Sequence, residues 1–167
     1  TNREGTRHVL ELAEAAGGKM VYISTVSLGS EFVRNQPELV REFSEDDFNI
    51  GQNWEDNIYL KGKFQGETLV RKAAEDGMDV KILRIGRLVG RSSDGVFQKN
   101  PESNAFWGLV SGILKAGMIP DILAHLPLDT TAVDDCAAAA VTLMEKGERM
   151  VYHVFNPKMK TVSEIAA

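Results

Sequence analysis

Three short apolar runs constrain this chain most: "KMVYIST" at residues 19–25, "GMDVKILRIG" at 77–86 and "MVYHVFN" at 150–156. Each is too short and too rich in β-branched and aromatic residues for a helix, and the continuous apolar character is that of strands buried on both faces. Helical patterns separate them. Residues 1–18, "TNREGTRHVLELAEAAGG", place Val9, Leu10, Leu12, Ala13 and Ala16 at helical spacing, with capping types at Thr1 and Asn2 and a Gly17–Gly18 stop. A second helix is expected over residues 58–76, an apolar one over 106–116, and another in "VDDCAAAAVTLMEKG". "TVSEIAA" begins a further helix. Helix and strand alternating in this way imply an α/β fold, with a parallel sheet and crossover helices.

In such sheets ligands bind beyond the carboxyl ends of the strands, where Ser24, Thr25 and Gly86 fall. The connection over residues 26–57 is rich in Pro, Asn, Gly and acidic residues and is too long for a simple turn, so it is expected to frame a site.

The composition narrows the function classes. With 167 residues, 43% hydrophobic and 26% charged, the chain can bury the core of one ordinary domain. Its 19 Lys and Arg are scattered among 24 acids for a net charge of −5, which argues against a nucleic-acid surface. Cys136 stands alone and the three histidines lack metal-ligand spacing, so neither a disulfide nor a metal is expected, and a reducing cytoplasm fits. The longest apolar stretch, residues 106–119, is too short for a membrane span and contains Lys115. The chain opens on Thr1 and enters a helix at once, from which a piece of a longer polypeptide is expected.

The stretch "NIYLKGKFQGE" carries the chemistry. Tyr59 and Lys63 are four apart and share a helix face, whereas Lys61 points elsewhere. A cation beside a phenol favours the phenolate and lowers its pKa from about 10, making Tyr-x-x-x-Lys an acid–base unit. Any tyrosine finds a lysine at this spacing fairly often, so the pair alone reads first as a helix-capping tyrosine and a solvated lysine. The hydroxyls of Ser24 and Thr25 at the end of the preceding strand add a group able to hold a carbonyl oxygen as charge develops on it. The order strand hydroxyl, loop, Tyr-x-x-x-Lys helix, buried strand is much rarer.

The set "TNREGT…VYISTVS…IYLKGK…GETLV…VKILRIGRLVG" resembles the extended short-chain dehydrogenase/reductases. Within them it is similar to the thioester reductase domains of nonribosomal peptide and polyketide synthetases, relatives of carboxylic acid and fatty acyl reductases. The acidic "FSEDDF" segment, "LKAGMIP" and "PLDTTAVDDCAAAAVTL" extend the similarity along nearly the whole chain. Ala132 and Ile85 stand where that family has prolines.

The resemblance implies the C-terminal part of a Rossmann-like doubly wound sheet, with residues 1–90 catalytic and 91–167 on the substrate side, mixed with late sheet elements. It implies NADPH as cofactor and a phosphopantetheine-bound acyl or peptidyl carrier protein as partner. Tyr59 becomes the proton donor, Lys63 its partner and ribose ligand, Thr25 the carbonyl-binding hydroxyl with Ser24 as the alternative, and Asn2 a support for a proton relay. Ser24 and the backbone at Gly86 and Arg87 would lie beside the nicotinamide. No Gly-x-Gly-x-x-Gly occurs; Gly62–Gly66, Gly86–Gly90 and Gly108–Gly112 are all Gly-x-x-x-Gly pairs. The pyrophosphate-binding half is therefore expected to precede Thr1, leaving this piece inactive alone and, with an open sheet edge, prone to self-association. Two rivals are another extended reductase or sugar-nucleotide epimerase, and a catalytically silent binding module. Phe106, Trp107 and their neighbours are expected as core, with a substrate-channel wall as the second reading, Glu67 in packing or a salt link, Arg84 in a pair with some acid, Asp134 as a helix cap, and residues 45–47 as a solvated loop.

Overall fold

The computed structural model describes residues 2–29 and 42–166. Its chain order is α1 (Asn2–Ala15), β1 (Met20–Thr25), a 3-10 turn (Val26–Leu28), α2 (Ile58–Glu75), β2 (Val80–Ile85), β3 (Leu88–Val89), α3 (Ala105–Ala116), α4 (Asp121–Ala124), β4 (Pro127–Leu128), β5 (Thr131–Ala132), α5 (Val133–Lys146), β6 (Val151–Val154), β7 (Lys160–Thr161) and α6 (Val162–Ala166). Contacts divide it into two units: Thr1–Gly86 with Ala139–Val154, and Arg87–Ala138 with Phe155–Ala167.

The first unit is built on a parallel sheet in the order β1-β2-β6. Its register aligns Thr25 with Ile85 and Ile85 with Val154, so the three strands end flush on one carboxyl edge. Met20, Tyr22, Val80, Ile82 and Val151 pack with Val70 of α2, backed by Leu10 and Ala13 of α1. A second cluster joins Leu28 to Leu60 and Phe64 of α2, covered by Phe43, Phe48 and Trp54. Phe48 and Trp54 stack on Phe64 with ring centroids 4.5 and 4.4 Å away. The described part of the long connection thus packs onto α2; residues 30–41, within the stretch expected to frame a site, lie outside the described residues.

Two expectations for this unit need correction. β1 is not buried on both faces: Met20, Tyr22 and Ser24 on the α2 side are buried, whereas Ile23 on the opposite face is 43% exposed among the described residues. Residues 45–47 form a loop that is solvated only in part: the Asp46 side chain is 85% exposed, whereas Glu45 and Asp47 are half-covered. Glu45 accepts the His153 N–H at 2.9 Å, and the guanidinium of Arg149 pairs with Asp46 at 2.5 Å. Two backbone carbonyls here, those of Ser44 and Asp47, accept from Arg84 at 3.1 and 2.7 Å.

The second unit holds two short strand pairs, β3 with β5 in parallel and β4 with β7 antiparallel. Two-residue strands carry no periodicity, so sequence pattern cannot announce them. The apolar helix α3 is expected as core before channel wall, yet none of its residues is buried and Trp107 and Leu114 are exposed. Its apolar stripe lines a cleft of about 220 Å³ together with Leu128, Val162 and Ile165. Asp134 accepts the backbone N–H and the hydroxyl of Ser92 at 2.9 and 2.8 Å, which holds its carboxyl below the usual range.

Candidate active site

Helix α2 begins at an Asn57 cap whose Oδ1 accepts the N–H groups of Tyr59 and Leu60 at 3.1 and 3.2 Å. The cap sets the helix start, and the i, i+4 rule then lines up Tyr59, Lys63, Glu67 and Arg71 along one stripe. Tyr59, in the first turn, is half exposed. Lys63 Nζ lies 5.9 Å from the Tyr59 ring centroid and 5.6 Å from that of Tyr22, between two phenols. It donates to the carbonyl of Ile23 at 2.7 Å. Burial pushes the Lys63 ammonium pKa down, because a partly desolvated charge is disfavoured.

Strand β1 meets this stripe with three consecutive residues. Tyr22 Oη donates to the backbone carbonyl of Lys63 at 3.2 Å, Ile23 accepts from the Lys63 ammonium, and Ser24 Oγ donates to Glu67 Oε2 at 2.8 Å. Thr25, buried like Ser24, accepts the Ser27 N–H on its Oγ1 at 3.2 Å, which opens the 3-10 turn and leaves the hydroxyl proton available. The two candidate hydroxyls therefore differ: the Ser24 proton is given to Glu67, and the Thr25 proton is not used in that bond.

Asn2 stands at the start of α1 beside α2. A methyl group on Gly62 would fall 3.2 Å from Asn2 Nδ2, so the small residue next to Lys63 is where the asparagine side chain fits. The nearest protein neighbours at Gly62 and Gly66 are side chains, of Asn2, Tyr22 and Thr6. Gly86 closes the first unit, its N–H donating to Val154 at 3.0 Å. Arg87 opens the second; its N–H donates to Asp129 at 2.7 Å and its guanidinium lies 5.7 Å from the Phe106 ring.

Behind the stripe lies a charged network that spacing alone does not reveal. Glu67 and Arg84 are wholly buried. Arg84 Nη2 donates to Glu67 Oε1 at 2.6 Å and Nε to Oε2 at 3.3 Å. Arg71 adds two donors to Oε1, both at 3.1 Å. Arg84 Nη1 also meets His153 Nε2 at 3.2 Å; burial and the guanidinium charge push that imidazole's pKa down. The salt link of Glu67 and the acid partner of Arg84, each expected separately, are one pair. Among the described residues no group of three or more His, Cys, Asp or Glu could hold a metal, and no helix is long and apolar enough to cross a membrane.

A parallel sheet with crossover helices, hydroxyls at one strand's carboxyl end and a tyrosine and lysine one turn apart on the next helix is a Rossmann-like α/β fold. The chain belongs to the NAD-binding family described as "Male sterility protein", which it matches over residues 1–140. It is 26% identical over 148 residues to an isonitrile lipopeptide synthase of Streptomyces coeruleorubidus, covering 89% of this chain and 9% of that protein. Among solved structures it resembles a thiolation-reductase di-domain from an archaeal non-ribosomal peptide synthetase, with 33% identity and a TM-score of 0.87 over 99% of this chain and 36% of that one. The reductase domain of the aureusimine biosynthetic cluster gives 28% identity and a TM-score of 0.83, covering 98% and 44%. The chain thus spans less than half the length of each of these relatives.

Proposed function

We propose that the chain is part of an NADPH-dependent thioester reductase, which releases an acyl or peptidyl group from the phosphopantetheine arm of a carrier protein. The observation that carries this reading is the Lys63 ammonium, held by the Ile23 carbonyl between two tyrosine rings on the stripe that starts with Tyr59. The similarity to a thiolation-reductase di-domain supports the carrier-bound substrate.

The donor set suits a nicotinamide nucleotide. The Lys63 ammonium has three hydrogens and gives one to Ile23, leaving two for ribose hydroxyls. Tyr59 and the carbonyl side of Gly86 lie along the same unit's first helical turn and strand ends, beside Ser24, whose oxygen can accept from the nucleotide while its proton goes to Glu67. Bound NADPH supplies a hydride to the thioester carbonyl carbon. Thr25 donates a hydrogen bond to the carbonyl oxygen as negative charge grows there and keeps its proton, and Tyr59 transfers the one proton that the oxyanion takes up. Asn2, at the helix contact beside Lys63, supports the water chain that returns the proton. The hemithioacetal then breaks its carbon–sulfur bond, giving thiol and aldehyde, and a second round would give the alcohol.

The test uses the complete protein. Tyr59→Phe should abolish NADPH oxidation driven by an acyl-pantetheine thioester, and near-normal turnover in that variant would reject the reading.

A further inference from the structure

We infer that Glu67 is a positioning residue for this reaction: it decides which of the two strand-end hydroxyls faces the substrate. The inference rests on the proposed reductase reading. Its geometric basis is the fit of β1 to α2. Three successive strand residues, Tyr22, Ile23 and Ser24, each bond to the Lys63–Glu67 turn of the helix, at 3.2, 2.7 and 2.8 Å. A slip of one residue between strand and helix would break all three.

Glu67 is the fixed end of that fit. Its Oε1 accepts from Arg84 and twice from Arg71, and its Oε2 accepts from Arg84 and Ser24. Arg84 in turn is braced by the carbonyls of Ser44 and Asp47. A wholly buried carboxylate bound by two guanidinium groups cannot swing without leaving charge unpaired, so it is a rigid acceptor. That acceptor takes the Ser24 proton. With Ser24 pinned, the backbone of its neighbour Thr25 is fixed, and the Thr25 hydroxyl, accepting from Ser27, keeps its own proton for a carbonyl oxygen. Glu67 therefore acts on the reaction through Ser24 and Thr25 without touching substrate.

A double-mutant cycle in the complete protein tests this. Glu67→Gln keeps the side-chain shape but removes the charge that holds Ser24. It should lower kcat about tenfold, the scale expected of a small misplacement at a reacting centre, with KM for NADPH within about twofold. In a Thr25→Val background the same change should cost less than about twofold, because the group being positioned is gone. Ser24→Ala cuts the link without disturbing the ion pair; it should reproduce the kcat loss and the same non-additivity, and it decides the matter if Glu67→Gln does not fold. An unchanged kcat, or an equal loss with and without the Thr25 hydroxyl, overturns the proposal in favour of a purely structural salt link. The cycle is run on whichever carbonyl compound the wild type reduces with NADPH, acyl-pantetheine thioester or the free aldehyde. Reduction of the aldehyde alone would reject the thioester reading while leaving the cycle readable, and no reduction of either overturns both.

Discussion

Gly66 of α2 lies directly against Tyr22 of β1: a methyl group built on the glycine would overlap the phenol oxygen, sit 2.8 Å from Cζ and approach Thr6 Oγ1 to 3.2 Å. Alanine normally stabilises a helix interior by about 1 kcal/mol over glycine. Here overpacking costs about 1–3 kcal/mol, since Tyr22 is buried and tied to Lys63. Gly66→Ala should therefore be destabilising in urea unfolding, and Tyr22→Phe should relieve part of the loss. Gly62→Ala is the control: its neighbour is the exposed Asn2 side chain, which can move, so stability should hold or rise.

Tyr22 should titrate late. Burial raises its phenol pKa to about 12, with the Glu67 charge adding to the rise and a hydrogen bond with Thr6 opposing it. An ultraviolet titration of the chain's three tyrosines should show one phenol near pH 12 that disappears in Tyr22→Phe. The folded state keeps a proton that the unfolded chain loses from about pH 10. This contribution to stability is whole below pH 10 and is lost as pH rises towards 12. A phenol titrating near its free value would contradict the packing at Gly66.

Lys63 bears on pH with the opposite sign. Its folded pKa lies below the ordinary 10.5, so over the window from that lowered value up to 10.5 the unfolded chain binds more protons. Stability then rises with pH across the window. Urea unfolding of the wild type and Lys63→Met between pH 7 and 10.5 should show the wild type gaining on the variant as pH increases. A constant difference would mean that the ammonium is not desolvated.

The sequence made the Tyr59–Lys63 face legible because both residues sit on one helix, where four positions make one turn. It also showed the two longer strands of the sheet, whose apolar runs end at Thr25 and Ile85. The Glu67 network was out of reach for a physical reason. Arg84 lies 17 residues further on in another element, and Ser44 and Asp47 lie 40 and 37 residues before it. Such partners are chosen by the fold. The different bonding of Ser24 and Thr25 had the same limit, since the acceptor that takes the Ser24 proton is the Glu67 carboxylate. The preference for α3 as core over channel wall has a different cause: apolar composition marks a surface that avoids water without saying whether it is packed or lines a cleft, and here it lines one in its own unit.

The buried pair makes a final stability prediction. Both Glu67 and Arg84 side chains are fully removed from solvent, and their link is the shortest contact in the network at 2.6 Å. Removing one partner leaves the other charge buried, a loss of about 3–5 kcal/mol in comparable pairs. Arg84→Met should fall at the lower end, because Arg71, 19% exposed, still faces Glu67 and retains part of the compensation. The change also frees the carbonyls of Ser44 and Asp47, so the segment before α2 loses its anchor to β2. Limited proteolysis should then cut within residues 42–57 faster in the variant than in the wild type. Adding Glu67→Leu removes the orphaned carboxylate and should restore part of the unfolding free energy. It cannot restore the carbonyl contacts, so the proteolytic sensitivity should stay. Measured by urea unfolding, a cost below about 1 kcal/mol for Arg84→Met would show that Arg71 alone balances Glu67.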